Sequence, residues 1–422
     1  MSARATVIGA GLAGLSAAVR LRRAGVAVAI SDSAAQAGGR CRSYHDPQLG
    51  LTIDNGNHLV LSGNRAVAEF RAAVGAAPET LTGPDEAAFA FADLSADLED
   101  GARWTVRINR GRLGWWVAVP GRRVPGSRMI EYLALARLAG AGPDETIADR
   151  IATTGPVWER LLRPVLLAAL NTDPGPSSAR LAWAVLRETI GRGGAAMRPL
   201  VAHPTLAAAF VDPASAWLEA QGSAVRLNRR LRAIRFEGEH VAALEWSDGV
   251  QVVDPDEAVV LALPPWVAAD LVPGLPAPKE MRAIVNAHFA FPARPDMPPM
   301  LGLLGTKAEW LFAFPDRISV TVSAAEHLVD QDRETLARTF WGEIGRAYGI
   351  EAPLPAWQIV KEKRATFAAT PEQDRLRPGA ATRWRNLFLA GDWTQTGLPS
   401  TIEGALRSGE VAARLAAGAA RR

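Results

Sequence analysis

Apolar residues along the chain fall into two rhythms: short unbroken runs bounded by glycine or proline, and longer stretches with helical spacing. The first run begins at Thr6 and ends in Gly-Ala-Gly-Leu-Ala-Gly, a helically spaced stretch follows, and a second run reaches Asp32. That order predicts strand, glycine turn, helix and strand. Gly50 to Leu61 predicts a short strand, a tight turn and a further apolar run, with Asp54, Gly56 and His58 at alternate positions. Ala87 to Leu94, Trp104 to Ile108 and Leu113 to Val119 read as hairpin strands, with turn residues at Asp100-Gly101 and Arg110-Gly111. From 128 to 200 the spacing becomes helical, interrupted by Gly-Pro and Pro-Gly, which predicts a helical cap.

Ala214 to Gln221 predicts one more helix, and Glu257 to Leu263 reads as a buried strand that ends in a proline turn. A second sheet is expected from Arg282 to Phe291, from Trp310 to Phe314 paired with Ile318 to Ser323, and from Trp357 to Arg364. Glu334 to Tyr348 has helical periodicity. Asn386 to Thr394 is a buried strand carrying Gly391-Asp392, and Pro399 to Gly409 opens a last helix. A chain of 422 residues exceeds what one core usually organises, so two domains are expected.

The composition narrows the chemistry. A formal charge of +3 with scattered arginines marks no nucleic-acid stripe. Cys41 is the single cysteine, which excludes an internal disulfide and a thiolate metal cluster, and a reducing cytoplasm is the expected compartment. No uncharged stretch is long enough to span a bilayer, so the chain is expected to be soluble or to lie on a membrane surface.

The amino-terminal turn carries the first candidate site. Gly9 and Gly11 remove side chains that would hold the backbone off a pyrophosphate, and Gly14 lets helix and strand pack closely. The helix then starts at Leu12 and Ala13 with free N–H groups aimed at an anion. Asp32 closes the second strand where this motif places a carboxylate on a ribose hydroxyl. A dinucleotide site is expected.

Gly38, Gly39 and Arg40, followed by Ser43, add a second glycine pair and a guanidinium able to bridge phosphate oxygens. Gly-Gly-Arg after such a unit resembles the flavin amine oxidase and carotenoid desaturase superfamily, which binds FAD. The string from Gly391-Asp392-Trp393-Thr394 to Gly404 resembles its carboxy-terminal flavin motif. The resemblance implies that Asp392 binds the ribityl chain or pyrophosphate, and that the helix opening at Thr401 and Ile402 points at the isoalloxazine. It further implies that Ser223 to Ile234 is a strand pair passing the adenine, with a main-chain contact near Leu231, and that Asn57 and His58 lie close to the flavin. The fold expected is α/β: a Rossmann-like FAD-binding domain (1–65, 205–270 and 375–422) with a discontinuous α+β substrate domain of mixed sheet and helical cap (66–204 and 271–374). FAD should be noncovalent, since the carboxy-terminal motif holds no cysteine or histidine.

Within the superfamily, amine oxidases usually carry a lysine near the flavin N5, where this chain has Asn286, and an aromatic where it has Ser400 or Thr401. With three tyrosines in the chain, an amine cage is poorly supported. Asp54-Asn55-Gly56-Asn57-His58, Val285-Asn286-Ala287-His288-Phe289 and the long string after Gly391 resemble the hydroxysqualene dehydroxylases of bacterial hopanoid synthesis. That resemblance implies a long isoprenoid substrate whose hydroxyl is replaced by hydride, giving squalene and water. His58 is one candidate acid, because an unperturbed imidazole is partly protonated at neutral pH. A water held by Asn57 or Asn286 is the rival. A carotenoid-type desaturase, an amine oxidase and a non-enzymatic prenyl-lipid escort stay open as other readings. No second nucleotide fingerprint names an electron donor. Trp158 with Leu161 to Leu167 is either a membrane-docking face or core.

Overall fold

The computed structural model describes residues 3–95 and 102–420. The predicted strand, turn and helix form as Arg4–Ile8, Leu12–Arg23 and Ala27–Ser31. They belong to a parallel sheet in the order Val225–Arg226, Ala27–Ser31, Arg4–Ile8, Ala258–Leu261, Leu387–Leu389. Its central strands are buried on both faces, which is why they read as unbroken apolar runs. The last helix, Ile402–Ala419, lies against the glycine helix, where the Ser16 hydroxyl donates to the Leu406 carbonyl at 2.9 Å. A Cβ on Gly409 would sit 2.2 Å from the Ala13 carbonyl oxygen, so this contact requires glycine.

The second sheet has seven strands, ordered Trp357–Phe367, Met281–Phe289, Ile318–Val322, Trp310–Ala313, Met300–Leu304, Ala87–Asp93, Ala102–Ile108. Alternation sorts its side chains onto two faces. Val285, Ala287 and Val320 pack against Phe340, Trp341 and Ile344 of the helix Arg333–Tyr348. The opposite face carries Asn286, His288 and Thr321 at one end, and toward the other end Phe91, Trp104 and Trp310, which join the cap residues Trp158, Leu162 and Leu166 in one apolar cluster. Phe91 stacks on Trp104 with ring centroids 5.6 Å apart, an arrangement worth about 0.5–1.5 kcal/mol beyond its buried area.

Two expectations change and one open alternative is decided. Leu113 to Val119 is not a strand: Trp115–Ala118 is a 3₁₀ turn. The Asn109 amide donates to the carbonyls of Gly111 and Leu113 and accepts from the Trp116 N–H, consuming the groups a ladder would have used. The turn expected at Asp100-Gly101 lies outside the described residues. Trp158 to Leu167 supplies core rather than an outer face, with Trp158, Leu161, Leu162, Leu166 and Leu167 all buried. Trp158–Leu162 widens into a π turn just before Pro164, whose ring clashes with an α-helical carbonyl four residues back. Finally, the two strands within Ser223 to Ile234 part company: Val225–Arg226 edges the parallel sheet, while Leu231–Glu237 begins a separate antiparallel one.

Candidate functional site

The turn Gly9 to Gly14 is built without room for side chains where chain meets chain. Cβ atoms on Gly9 and Gly14 would fall 2.3 Å from the Ala262 oxygen and 1.9 Å from the Gly9 oxygen. At Gly11 nothing lies within 4 Å, so this position opens onto free space in front of the helix. Gly11 caps that helix without a side-chain bond, leaving the N–H groups of Leu12, Ala13 and Gly14 to an anion.

Asp32 lies across the turn. One carboxylate oxygen accepts from the Ala10 N–H at 2.6 Å and the other from Ala34 at 2.8 Å, and each keeps a lone pair for a ribose hydroxyl. The segment 228–229 is bonded to the backbone here, Arg229 N–H to the Asp32 carbonyl and Asn228 N–H to that of Ala34, which brings Leu231 two residues from the Asp32 strand end. Asp32→Ala is expected to weaken FAD binding by about 1–3 kcal/mol, the cost of stranding buried partners. Titration of the apoprotein with FAD, followed by flavin fluorescence, checks this. An unchanged affinity would remove Asp32 as the ribose ligand.

Residues far apart in sequence meet at the other end of the nucleotide cleft. Gly38 and Gly39 turn the chain with positive φ and deliver Arg40, which forms an ion pair with Asp392 at 2.6 Å and donates to the Ala365 carbonyl. Gly391 donates its N–H to Ser408 of the last helix at 2.9 Å, fixing the Gly-Asp turn over that helix. Thr401 caps the helix by accepting from Gly404 at 3.0 Å. Ile402 is buried behind that cap. Cys41, next to Arg40, is buried and its thiol is pushed up to about 12 by desolvation, so it is not a nucleophile.

Asn57 and His58 enter this cleft on the loop after the strand Leu51–Asp54. Asn57 donates through Nδ2 to the Thr321 hydroxyl at 3.1 Å and the Val320 carbonyl at 3.3 Å, while its Oδ1 is buried without a partner. Asn286 is 1% exposed and its amide is occupied. Its Oδ1 accepts from Thr321 at 2.8 Å and from the Asn57 N–H at 3.4 Å, and its Nδ2 faces the Asn55 carbonyl at 3.5 Å. Asn286 therefore stands behind Asn57 and holds its loop. The expectation that His58 is partly protonated at neutral pH is overturned: burial, then the nearby Arg40 cation, lower its pKa to about 4 against the opposing pull of Asp392. The ring is neutral at pH 7.

Arg377 was not visible as a site residue. Its side chain is wholly buried, and it donates to the carbonyls of Asp392 and Trp393 at 3.3 Å, to that of Thr394, and to Asp374 at 2.8 Å. Its guanidinium also lies over the Phe367 ring, 4.7 Å from the centroid. Glu403 is a second omission: its carboxylate accepts from the N–H groups of Ala66 and Val67, both at 3.0 Å, and so joins the last helix to the start of the helix Arg65–Val74. Glu403 lies within the carboxy-terminal string singled out by resemblance, where no role was given to it, and Arg377 lies in no motif of the sequence. Among the described residues, no His, Cys, Asp and Glu cluster is able to hold a metal ion.

A parallel sheet with an open glycine turn, a carboxylate after its second strand and an Arg40–Asp392 pair beside the last helix give the frame of a dinucleotide-binding oxidoreductase. A family model described as flavin containing amine oxidoreductase matches residues 12–417, and the chain belongs to that family. FAD is the cofactor, and the open cradle at Gly11 in front of the helix fits its pyrophosphate. The chain is similar to a hydroxysqualene dehydroxylase of Rhodopseudomonas palustris, 52% identical over 422 residues and the whole of both chains. It is also similar to one of Sinorhizobium fredii, 51% identical over 97% of each. Among solved structures, the cyclohexylamine oxidase of Brevibacterium oxydans shares the fold, with a TM-score of 0.70 at 16% identity over all of both chains.

Proposed function

We propose that this protein is an FAD-dependent hydroxysqualene dehydroxylase, replacing an allylic hydroxyl of hydroxysqualene by hydride to give squalene. Identity of 52% along the full length of a protein bearing that name carries the reading. Bond for bond, the substrate C–O bond breaks, a C–H bond forms, and the departing oxygen leaves as water after taking one proton. Reduced FAD, when bound, supplies the hydride. Residues 1–65, 205–270 and 375–422 hold the cofactor, and 66–204 with 271–374 hold the isoprenoid. The electron donor that reduces the flavin is a separate partner.

The chain's own residues have four tasks. The turn at Gly9 to Gly14, with Asp32, anchors the nucleotide, and the Arg40–Asp392 pair with the Thr401 and Ile402 helix start binds toward the flavin ring. Asn57 Oδ1 accepts a hydrogen bond, either from the substrate hydroxyl or from the water it becomes, and so fixes the oxygen while the C–O bond lengthens. Asn286 and Thr321 hold Asn57 in place. His58 works as a neutral imidazole, orienting water that brings the proton, rather than as an imidazolium acid. The apolar cluster of Phe91, Trp104, Trp310 and the cap is the part of the second sheet that suits a hydrocarbon chain, with the Arg160 guanidinium over the Trp104 ring at 5.8 Å. An amine oxidase reading fares worse, since Asn286 is no base and its oxygen already accepts from Thr321 and the Asn57 N–H.

A single turnover without oxygen tests the assignment. Dithionite-reduced enzyme mixed with hydroxysqualene is expected to recover oxidised-flavin absorbance near about 450 nm, the cofactor's own band, with formation of squalene. A flavin that stays reduced, or a conjugated polyene as product, would instead assign a desaturase.

A further inference from the structure

Of nine large apolar side chains that the described residues leave exposed, six fall within one stretch of the chain: Leu113, Trp115, Val119, Met129, Ile130 and Leu133. Leu113 is 83%, Ile130 60% and Leu133 57% exposed. Trp115 belongs to the turn Trp115–Ala118, which Leu113 and Val119 flank, and Met129, Ile130 and Leu133 belong to the helix Met129–Leu133. These are packed together through their inner residues, Trp116 against Tyr132 edge to face at 5.1 Å. Tyr132 also accepts from the Val124 N–H at 3.0 Å, which fixes the connecting segment. With Trp116 and Tyr132 turned inward, Trp115 and the trio Met129, Ile130 and Leu133 are left on the outer surface.

The charge carried by this stretch of the chain is one-sided, and of the acids brought to it by the fold, Asp85 and Glu86 share a cleft with Arg110 and Arg122, where Asp85 is already paired with Arg198. Between 102 and 137 the sequence has eight arginines and one acid, Glu131. The surplus of seven, in a chain of formal charge +3, leaves all the rest net negative. Arg107, Arg110 and Arg112 are exposed beside Leu113. Arg122 lies 5.2 Å over the Trp115 ring and donates to the Arg107 carbonyl, and Arg128 flanks the helix start with its side chain 79% exposed. Solvent-facing aliphatic residues, a tryptophan and a ring of arginines make the pattern of a surface that enters the headgroup layer of an anionic bilayer. A second copy of this face would bring a surplus of arginines against the same surplus, with few acids to pair them, since Glu131 already lies 3.4 Å from Arg128.

We propose that the surface formed by Trp115–Ala118 and Met129–Leu133, with its arginines, docks this protein on anionic lipid. The hairpin beneath it, Ala87–Asp93 with Ala102–Ile108, sends Phe89, Phe91, Trp104 and Val106 into the apolar cluster between sheet and cap. Docking therefore sets that cluster one layer of structure away from the membrane. The claim does not depend on the reaction assigned above.

The test is flotation of the FAD-loaded protein with vesicles of phosphatidylglycerol mixed with phosphatidylcholine, against vesicles of phosphatidylcholine alone. Wild type is expected to float with the mixed vesicles, and salt should release it. Arg110→Gln with Arg112→Gln should lower partitioning by about twentyfold, from roughly fivefold per arginine near an anionic surface. Ile130→Ser with Leu133→Ser should lower it by about tenfold or more at unchanged flavin content. Absence of wild-type binding, or apolar variants that bind like wild type, overturns the proposal. So does a wild-type dimer that Trp115→Ser converts to monomer while vesicle binding is unchanged.

Discussion

Replacing Arg377 by methionine is expected to cost the fold about 3–5 kcal/mol, the range for removing one partner of a buried ion pair. The side chain is fully enclosed, so its charge was brought out of water on the strength of Asp374 and the carbonyls of residues 392–394. Methionine fills much of the volume but leaves those oxygens and the Asp374 carboxylate without donors. The same carbonyls belong to the Gly391-Asp392 turn, so its N–H groups and the Asp392 carboxylate should lose their aim toward Arg40 and the cofactor. Two readouts are expected together: a lower midpoint in denaturant and a weaker FAD affinity. A double variant with Asp374→Asn should recover part of the stability, because the stranded charge is gone. If Arg377→Met unfolds like wild type, the cluster is not a stabilising element. If stability falls but the apoprotein still takes up FAD with wild-type affinity at low temperature, Arg377 holds the fold without shaping the site.

Arg377 also shows where sequence reading stops. Gly9, Gly14 and Asp32 were legible because the chemistry of one nucleotide turn fixes them within a short stretch, and the hydrophobic periods around them state strand and helix. The Gly-Gly-Arg and Gly-Asp strings were legible only through resemblance, but their meeting as the Arg40–Asp392 pair follows from the parallel sheet that brings Leu387–Leu389 beside Ala258–Leu261. Arg377 and Glu403 act on main-chain carbonyls and N–H groups, so even for Glu403, which lies inside the carboxy-terminal string, residue identity does not state the role. The apolar spacing of Trp158 to Leu167 states that one face is hydrophobic, and does not say whether protein or lipid covers it. Leu113 to Val119 alternates like a strand, yet one asparagine side chain captured its backbone. The His58 error has the same origin. An imidazole pKa depends on burial and on a cation, Arg40, that lies near it only after folding.

Asn57→Ala is expected to slow hydride transfer by about 10²–10³, comparable to removing one oriented hydrogen-bonding group from a reacting oxygen. His58→Gln, which keeps a hydrogen-bonding amide but does not titrate, should slow it by no more than about tenfold, well short of the 10²–10⁴ expected of a general acid. The contrast rests on protonation. With a pKa of about 4, His58 gains its proton only as pH falls through that value, whereas the unfolded chain takes one up near 6.5. The unfolded state thus binds more protons between those values, and this histidine's contribution to stability is present above about pH 6.5 and declines as pH falls toward 4. An imidazolium acid would confine turnover to that same acid range. The neutral imidazole requires a rate between pH 6 and 8 that shows no limb belonging to His58. Stopped-flow oxidation of the reduced enzyme by hydroxysqualene, measured across that range for wild type and both variants, separates the cases. A limb that disappears in His58→Gln, or a rate for that variant as low as for Asn57→Ala, would restore His58 as the acid. Normal turnover in Asn57→Ala would free its orphaned oxygen from any part in the reaction.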